Sequence, residues 1–258
     1  MEIKEWATRI LSADTLEEKL LTPTSLSDIS PGPAIFWDTP TRPLGMEFKR
    51  HSHKEKLPSL HEFGKQDNRA VCLHRFAGHE LLAVEIMAYA LLAFPEAPKH
   101  FRRGLANTLM EEQEHVRIYI NRLHEMGVRF GDMPLYRHFW THVPYLLSPL
   151  KYVSVMSLTF EMANLDFAPM YKTSFLQNGD IASADIMQRI IDDEISHVSF
   201  GYQWLKKLKN ENDSEWQAWR SSVPDTLPLK RAKGFVFQEG LRRDAHIPDS
   251  WIEEFKKV

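Results

Sequence analysis

The residues with the clearest chemical potential in this chain are glutamates and histidines that occur twice with nearly the same spacing. Each copy has a lone glutamate and, about thirty residues later, a Glu-x-x-His pair: Glu80, Glu112 and His115 in the first copy, and Glu161, Glu194 and His197 in the second. The two copies are offset by 81 or 82 residues. Residues three apart on an α-helix are neighbours on one face, so each pair can bind one metal ion. The repeat predicts two matching halves of a metal site.

The repetition matters more than either pair alone. A single Glu-x-x-His pair is a short motif with a high chance of accidental occurrence, and solvated helix surface is its ordinary explanation. Glu80 and Glu161, however, are each followed five residues later by a second acid, Glu85 and Asp166. This shared context indicates that a whole helical hairpin is duplicated. On spacing alone, Glu80 and Glu85 are both candidates for the ligand of the first helix.

The additional acids have a different expected role. Five residues correspond to about 140° around an ideal helix axis, so Glu85 and Asp166 cannot share a metal-facing surface with the lone glutamates. We expect these two acids, and Asp193 beside the second pair, either to orient a ligand histidine or to pair with an arginine.

Apolar periodicity predicts four long helices that would present the ligands. They are a helix at about 68–94, one with an apolar stripe at 101–123 that ends at Gly127, one at 150–176 with a kink at Pro169, and one at 181–208. The connections are short, long and short, with the long link at 128–148. This is the order of a four-helix bundle with one long crossover.

Both ends of the chain extend beyond this bundle. Six prolines interrupt every helical period between residues 22 and 62, which predicts an irregular strap that Phe36 and Trp37 could anchor. Strand signals are scarce, so the predicted fold class is all-α. The predicted domains are 1–67 with N-terminal helices and the strap, 68–210 with the bundle, and 211–258 with a C-terminal helical extension packed on the bundle.

Composition limits the function classes. Of 258 residues, 43% are hydrophobic, which supports a large buried core, and a net charge of −3 gives no global reason to expect nucleic-acid or membrane binding. A basic run at 49–54 is bracketed by acids and predicts a solvated loop. Cys72 is the single cysteine, which fits a reducing compartment. Without a signal-like N-terminus, we expect a cytoplasmic protein that does not associate with membranes.

The segment at 76–80, which ends in Glu80 and is followed by Ala83, resembles the first-helix segment of rubrerythrin-like and bacterioferritin-like proteins. With the repeated ligand pattern, residues 68–210 resemble the ferritin-like di-iron carboxylate superfamily. Within it, the chain resembles a bacterial family of uncharacterised ferritin-like proteins that are related in fold to rubrerythrin and tRNA hydroxylases. This resemblance favours Glu80 over Glu85.

The resemblance also implies a role for each ligand. Glu80 and Glu161 would be terminal ligands, Glu112 and Glu194 bridging carboxylates, and His115 and His197 one nitrogen ligand for each metal. The implied cofactor is two iron ions, with manganese or a mixed iron–manganese pair as the alternative.

The activity that the resemblance implies is an oxidoreductase that activates O2 or peroxide, as a hydroxylase or oxidase. The alternatives are a non-catalytic protein that binds, stores or senses iron or manganese, and a manganese catalase. An oxidoreductase of this kind needs an external electron donor, and its substrate would be a small molecule or a tRNA. The oligomeric state is open, with a dimer as one alternative.

Overall fold

A computed structural model describes residues 1–49 and 56–257, and most of the basic run at 49–54 lies outside the described residues. The chain divides into two compact units: an N-terminal unit, Met1–Val143, and a C-terminal unit, Pro144–Val258. Each unit contains one of the two copies of the ligand pattern. The predicted domain boundaries near residues 67 and 210 remain a prediction.

The N-terminal unit is built on a hairpin of two long helices. Its helices are α1 (Ile3–Ser12), α2 (Leu16–Lys19), α3 (Gln66–Ala93) and α4 (Lys99–Glu125). The short connection through Pro95 and Pro98 requires α3 and α4 to run antiparallel, and they pack along each other. The helix α1 packs on α3 and buries Trp6, whose indole Nε1 donates a 2.9 Å hydrogen bond to the carbonyl of Leu21.

The strap between α2 and α3 is irregular over the described residues 22–49 and 56–59, as predicted, and ends in a 3₁₀ turn at Leu60–Glu62. The prediction that Phe36 anchors it is wrong, because 70% of the Phe36 surface is exposed. Charged groups anchor the strap instead. Asp28 accepts two 2.9 Å hydrogen bonds from the buried Arg102 guanidinium of α4.

Length and apolar composition alone would allow α3 to cross a membrane, but 89% of its most apolar window is buried inside the protein. Such burial is typical of the core helix of a soluble protein. The apolar character of α3 therefore reflects packing against other parts of the chain.

The C-terminal unit contains a second long hairpin. A continuous helical rod consists of α5 (Pro149–Val155), a π-helical segment (Met156–Glu161) and α6 (Met162–Gln177), and it packs against α7 (Ile181–Leu208). Three short helices follow: α8 (Glu215–Ser222), α9 (Glu239–Asp244) and α10 (Asp249–Lys256). Four aromatic side chains of α8 and α10, Trp216, Trp219, Trp251 and Phe255, form one cluster with ring centroids 4.9–6.4 Å apart.

The all-α prediction is confirmed for residues 1–49 and 56–257, which form helices and only isolated β-bridges. The order of hairpin, long link and hairpin is that of the predicted bundle. Pro169 lies within α6 as expected. The sequence analysis did not predict the π-helical geometry between Met156 and Glu161.

Candidate metal centre

The N-terminal unit contains a cluster of buried side chains that could bind a metal ion. Glu80 lies near the middle of α3, and Glu112 and His115 lie on α4. One donor atom from each of these three side chains lies within 4.8 Å of the others. Their exposed fractions range from 0 to 7%. The structure therefore brings together the predicted ligands of the first copy.

The C-terminal unit contains the second copy on its two long helical rods. Glu161 is the last residue of the π segment, and Glu194 and His197 lie one turn apart on α7. All three are buried. His197 Nδ1 lies 3.7 Å from Glu194 Oε2. A single dinuclear site formed by both copies remains a prediction.

The distances within each Glu-x-x-His pair suit two ligands of one ion. With metal–ligand bonds of about 2.1 Å, two donor atoms at right angles around an ion lie roughly 3 Å apart, and at wider angles up to about 4 Å. His115 Nδ1 lies 3.1 Å from Glu112 Oε2, and the corresponding distance in the second pair is 3.7 Å. The donor atoms, carboxylate oxygen and imidazole nitrogen, suit iron or manganese.

The helical rod that presents Glu161 departs from α-helical geometry in the π segment. The Ser154 carbonyl accepts a 2.8 Å hydrogen bond from Thr159 Oγ1 and a 3.2 Å hydrogen bond from the Trp219 indole. Gly201 on α7 permits the rod to approach closely, because a Cβ at this position would overlap the Cβ of Ser157. Single-turn π segments are rare and occur often at functional sites.

The acid that follows Glu80 is not near the metal-facing surface but forms a buried ion network. Glu85 Oε1 lies 3.0 Å from the ammonium of Lys19, and its other oxygen accepts a hydrogen bond from the Arg42 guanidinium. All three side chains have at most 2% exposure. Arg42 also lies over the Phe48 ring, 4.1 Å from its centroid. Glu85 therefore attaches the N-terminal helices and strap to α3.

Asp166 has the same role in the C-terminal unit. Its two oxygens accept hydrogen bonds of 2.6 and 2.9 Å from the buried Arg242 guanidinium, and two backbone N–H groups, those of Gly234 and Gln238, also donate to it. Arg242 lies 4.0 Å from the Phe237 ring centroid. The expectation that Glu85 and Asp166 pair with arginine agrees with these contacts.

Asp193 lies apart from these networks. It accepts a 2.5 Å hydrogen bond from Arg189, one turn earlier on α7, where the arginine side chain is 59% exposed. This contact is an ordinary helix-surface pair.

Two features near the site were not predicted from the sequence. Asn164 donates a 2.8 Å hydrogen bond to Glu194 Oε1. Its position three residues after Glu161 is a signal that could have identified it, because both then share a helix face. The second feature is the π segment, which lies where Ser157 packs against Gly201 of α7.

These observations define an all-α protein with two long helical hairpins, each containing buried carboxylate and imidazole groups that could bind a metal ion. The chain belongs to the family described as "Protein of unknown function (DUF455)", whose pattern matches residues 3–253. It is also similar to an uncharacterized protein of Haemophilus influenzae, with 24% identity over 157 residues. That alignment covers 58% of this chain and 54% of the relative, so the chain matches about half of the relative's length. No solved structure matches the chain.

Proposed function

We propose that this protein binds two iron or manganese ions and is an oxidoreductase that reduces O2 or peroxide. The observation that supports this proposal best is the buried cluster of Glu80, Glu112 and His115, with donor atoms within 4.8 Å of one another. Two ionised carboxylates are very costly to bury together without a compensating cation. One divalent metal ion bound to both carboxylates would compensate both charges.

The duplicated ligand set supports two ions rather than one. The C-terminal unit repeats the buried lone glutamate and the buried Glu-x-x-His pair. The four glutamates together carry a charge of −4, which two divalent ions would neutralise, while both histidines remain neutral ligands. As the sequence resemblance implies, Glu112 and Glu194 would be the carboxylates shared by both ions, and Glu80 and Glu161 would each hold one of them.

When bound in its reduced form, the metal pair would supply electrons for the reduction of O2 or peroxide. The protein would hold the carboxylates and imidazoles in place and exclude bulk water from them, which their burial favours. A separate electron donor is part of the proposal, because a chain with the single cysteine Cys72 cannot form a thiolate-ligated iron cluster of its own. The proposed substrate is a small molecule or a tRNA.

The first test is metal stoichiometry. The protein is loaded anaerobically with Fe(II) or Mn(II), passed through a desalting column, and analysed for metal. We expect about two ions per chain, and about none in Glu112→Ala and Glu194→Ala, since each variant would lose a bridging ligand. The matched control is Glu114→Ala on the same helix, where the carboxylate is 52% exposed. Absence of bound metal in the unaltered protein would overturn the proposal.

The second test separates the catalytic role from its alternatives. Oxygen uptake is followed in the iron-loaded protein with a chemical reductant. Repeated uptake for as long as reductant remains is expected of an oxidoreductase, whereas a single uptake followed by iron mineral formation would indicate storage. Evolution of O2 from peroxide by the manganese-loaded protein would instead indicate a manganese catalase.

A further inference from the structure

We propose that Asn164 is a positioning residue that holds the Glu194 carboxylate toward His197. This inference rests on the proposed function. The observation behind it is the 2.8 Å hydrogen bond from the Asn164 side-chain amide to Glu194 Oε1.

The two oxygens of Glu194 have different surroundings. Oε1 accepts the hydrogen bond from Asn164, while Oε2 is buried, lies 3.7 Å from His197 Nδ1, and accepts no hydrogen bond from any described residue. Rotation of the carboxylate away from this orientation would break the partly buried amide hydrogen bond, which costs free energy. Asn164 therefore selects Oε2 as the oxygen that faces the imidazole.

The residue equivalent to Asn164 differs in the first copy of the ligand pattern. When Glu80 is aligned with Glu161, the position of Asn164 is taken by Ala83, whose methyl group cannot donate a hydrogen bond. In that copy the glutamate and histidine of the pair are closer, at 3.1 Å.

The helical rod brings Asn164 to the helix that contains Glu194. Asn164 lies in the first turn of α6, directly after the π segment, and α6 packs against α7. The corresponding helix of the first copy, α3, is α-helical without interruption from Gln66 to Ala93. A π turn contains an extra residue and changes which side chains of the rod face α7.

The test uses Co(II) as a probe of both affinity and ligand geometry. Asn164→Ala introduces the residue that the first copy has naturally, and Asn164→Leu removes the donor while keeping the branched shape of the side chain. We expect both variants to bind Co(II) about 10–100-fold more weakly and to have an altered visible absorption spectrum, as is typical when a group that orients a ligand is lost. The matched control is Gln177→Ala, which removes an exposed amide from the same helix.

A fourth variant separates positioning from a purely structural role. Asn164→Gln keeps the amide donor on a longer side chain, so its Co(II) affinity and spectrum should lie between those of Asn164→Leu and the unaltered protein. A structural role would change only the thermal unfolding of the metal-free protein. Equal affinities and spectra for all Asn164 variants and the unaltered protein would overturn this inference while leaving the proposed function intact. If the unaltered protein binds no Co(II), Fe(II) or Mn(II), the proposed function fails, and this inference fails with it.

Discussion

His74 on α3 is a buried base whose role is structural. Its Nε2 accepts hydrogen bonds from the backbone N–H groups of Gly131 at 2.9 Å and Met133 at 3.4 Å, and so holds the start of the link against α3. Burial lowers the pKa of His74 from 6.5 to about 4, Arg75 lowers it further, and Asp132 opposes the shift. A proton on Nε2 would replace the acceptor that both N–H groups use.

This pKa predicts a pH dependence of stability. Because the folded-state pKa lies below the unfolded value, the unfolded chain binds the proton first as the pH falls. The contribution of neutral His74 is therefore fully present above about pH 6.5 and is lost progressively between pH 6.5 and 4. Urea unfolding across this range should give a free energy that falls more steeply in the unaltered protein than in His74→Gln, whose side chain can accept but does not titrate. Parallel curves would contradict the prediction, and His61→Gln, at an exposed position, serves as the control.

Glu85 is the anion of a buried network that contains two cations, Lys19 and Arg42. Glu85→Gln would leave both without a charged partner, and loss of one member of a buried ion pair typically costs about 3–5 kcal/mol. Burial already lowers the pKa of Lys19. In Glu85→Gln the Lys19 ammonium would therefore lose its proton before Arg42 does, which limits the loss of unfolding free energy. Chemical unfolding measures the loss. Glu114→Gln at the exposed position on α4 should change the free energy by less than about 0.5 kcal/mol, and an equally small change in Glu85→Gln would refute the prediction.

At the scale of elements, a similar buried ion pair attaches a terminal segment to each hairpin. The acid five residues after each lone glutamate pairs with an arginine that also lies over a phenylalanine ring, Arg42 in one unit and Arg242 in the other. The acids therefore face away from the ligand surface, as their 140° offset requires. Asp166 thereby links α6 to the C-terminal extension at α9, and Glu85 links α3 to α2 and the strap.

The contact of α7 with the π segment depends on Gly201. In Gly201→Ala the new methyl would overlap Ser157, so the rod must move, and overpacking of this kind costs about 1–3 kcal/mol. We also expect weaker metal binding, since Ser157 precedes Glu161 by about one turn. The control is Gly240→Ala on α9, where a Cβ meets no atom within 4 Å and the substitution should be neutral or stabilise by up to about 1 kcal/mol. Thermal unfolding and Co(II) titration of both variants test the prediction, which fails if Gly201→Ala behaves like its control.

At the scale of the whole molecule, metal binding should stabilise the fold. A ligand that binds only the folded state at 100 times its Kd contributes about 2.7 kcal/mol. For a chain of this length this corresponds to a rise in Tm of roughly 5–10 °C. Addition of Mn(II) to the metal-free protein should produce this rise, and Glu112→Ala and Glu194→Ala should each abolish it. A rise that persists in Glu194→Ala would mean that Glu194 is not a required ligand of the ions.

Local patterns predicted the long helices closely. The predicted helix at 181–208 agrees with α7, and that at 68–94 agrees with α3 to within two residues. A 3.6-residue period and proline interruptions are properties of short stretches of chain, so they are readable without a fold. The π segment could not be predicted in the same way, because it forms where Gly201 allows a close approach.

The candidate site was predictable in its residue types but only in part in its contacts. The i, i+3 spacing places Glu112 beside His115 on any α-helix. That Glu80 joins them depends on the register in which α3 and α4 pack, which only the structure provides. Asn164 was missed because its partner, Glu194, is 30 residues away on another helix.

The sequence by itself determined that two hairpins contain the same set of potential metal ligands, because duplication and helical spacing are properties of residue order. Only the tertiary structure decided that Glu85 pairs with Arg42, 43 residues earlier, and that Asp166 pairs with Arg242, 76 residues later. Contacts between such distant residues depend on the path of the chain through the strap and the C-terminal extension. The strap has no periodic pattern from which its path could be read, and the periods of the short C-terminal helices do not specify where these helices dock.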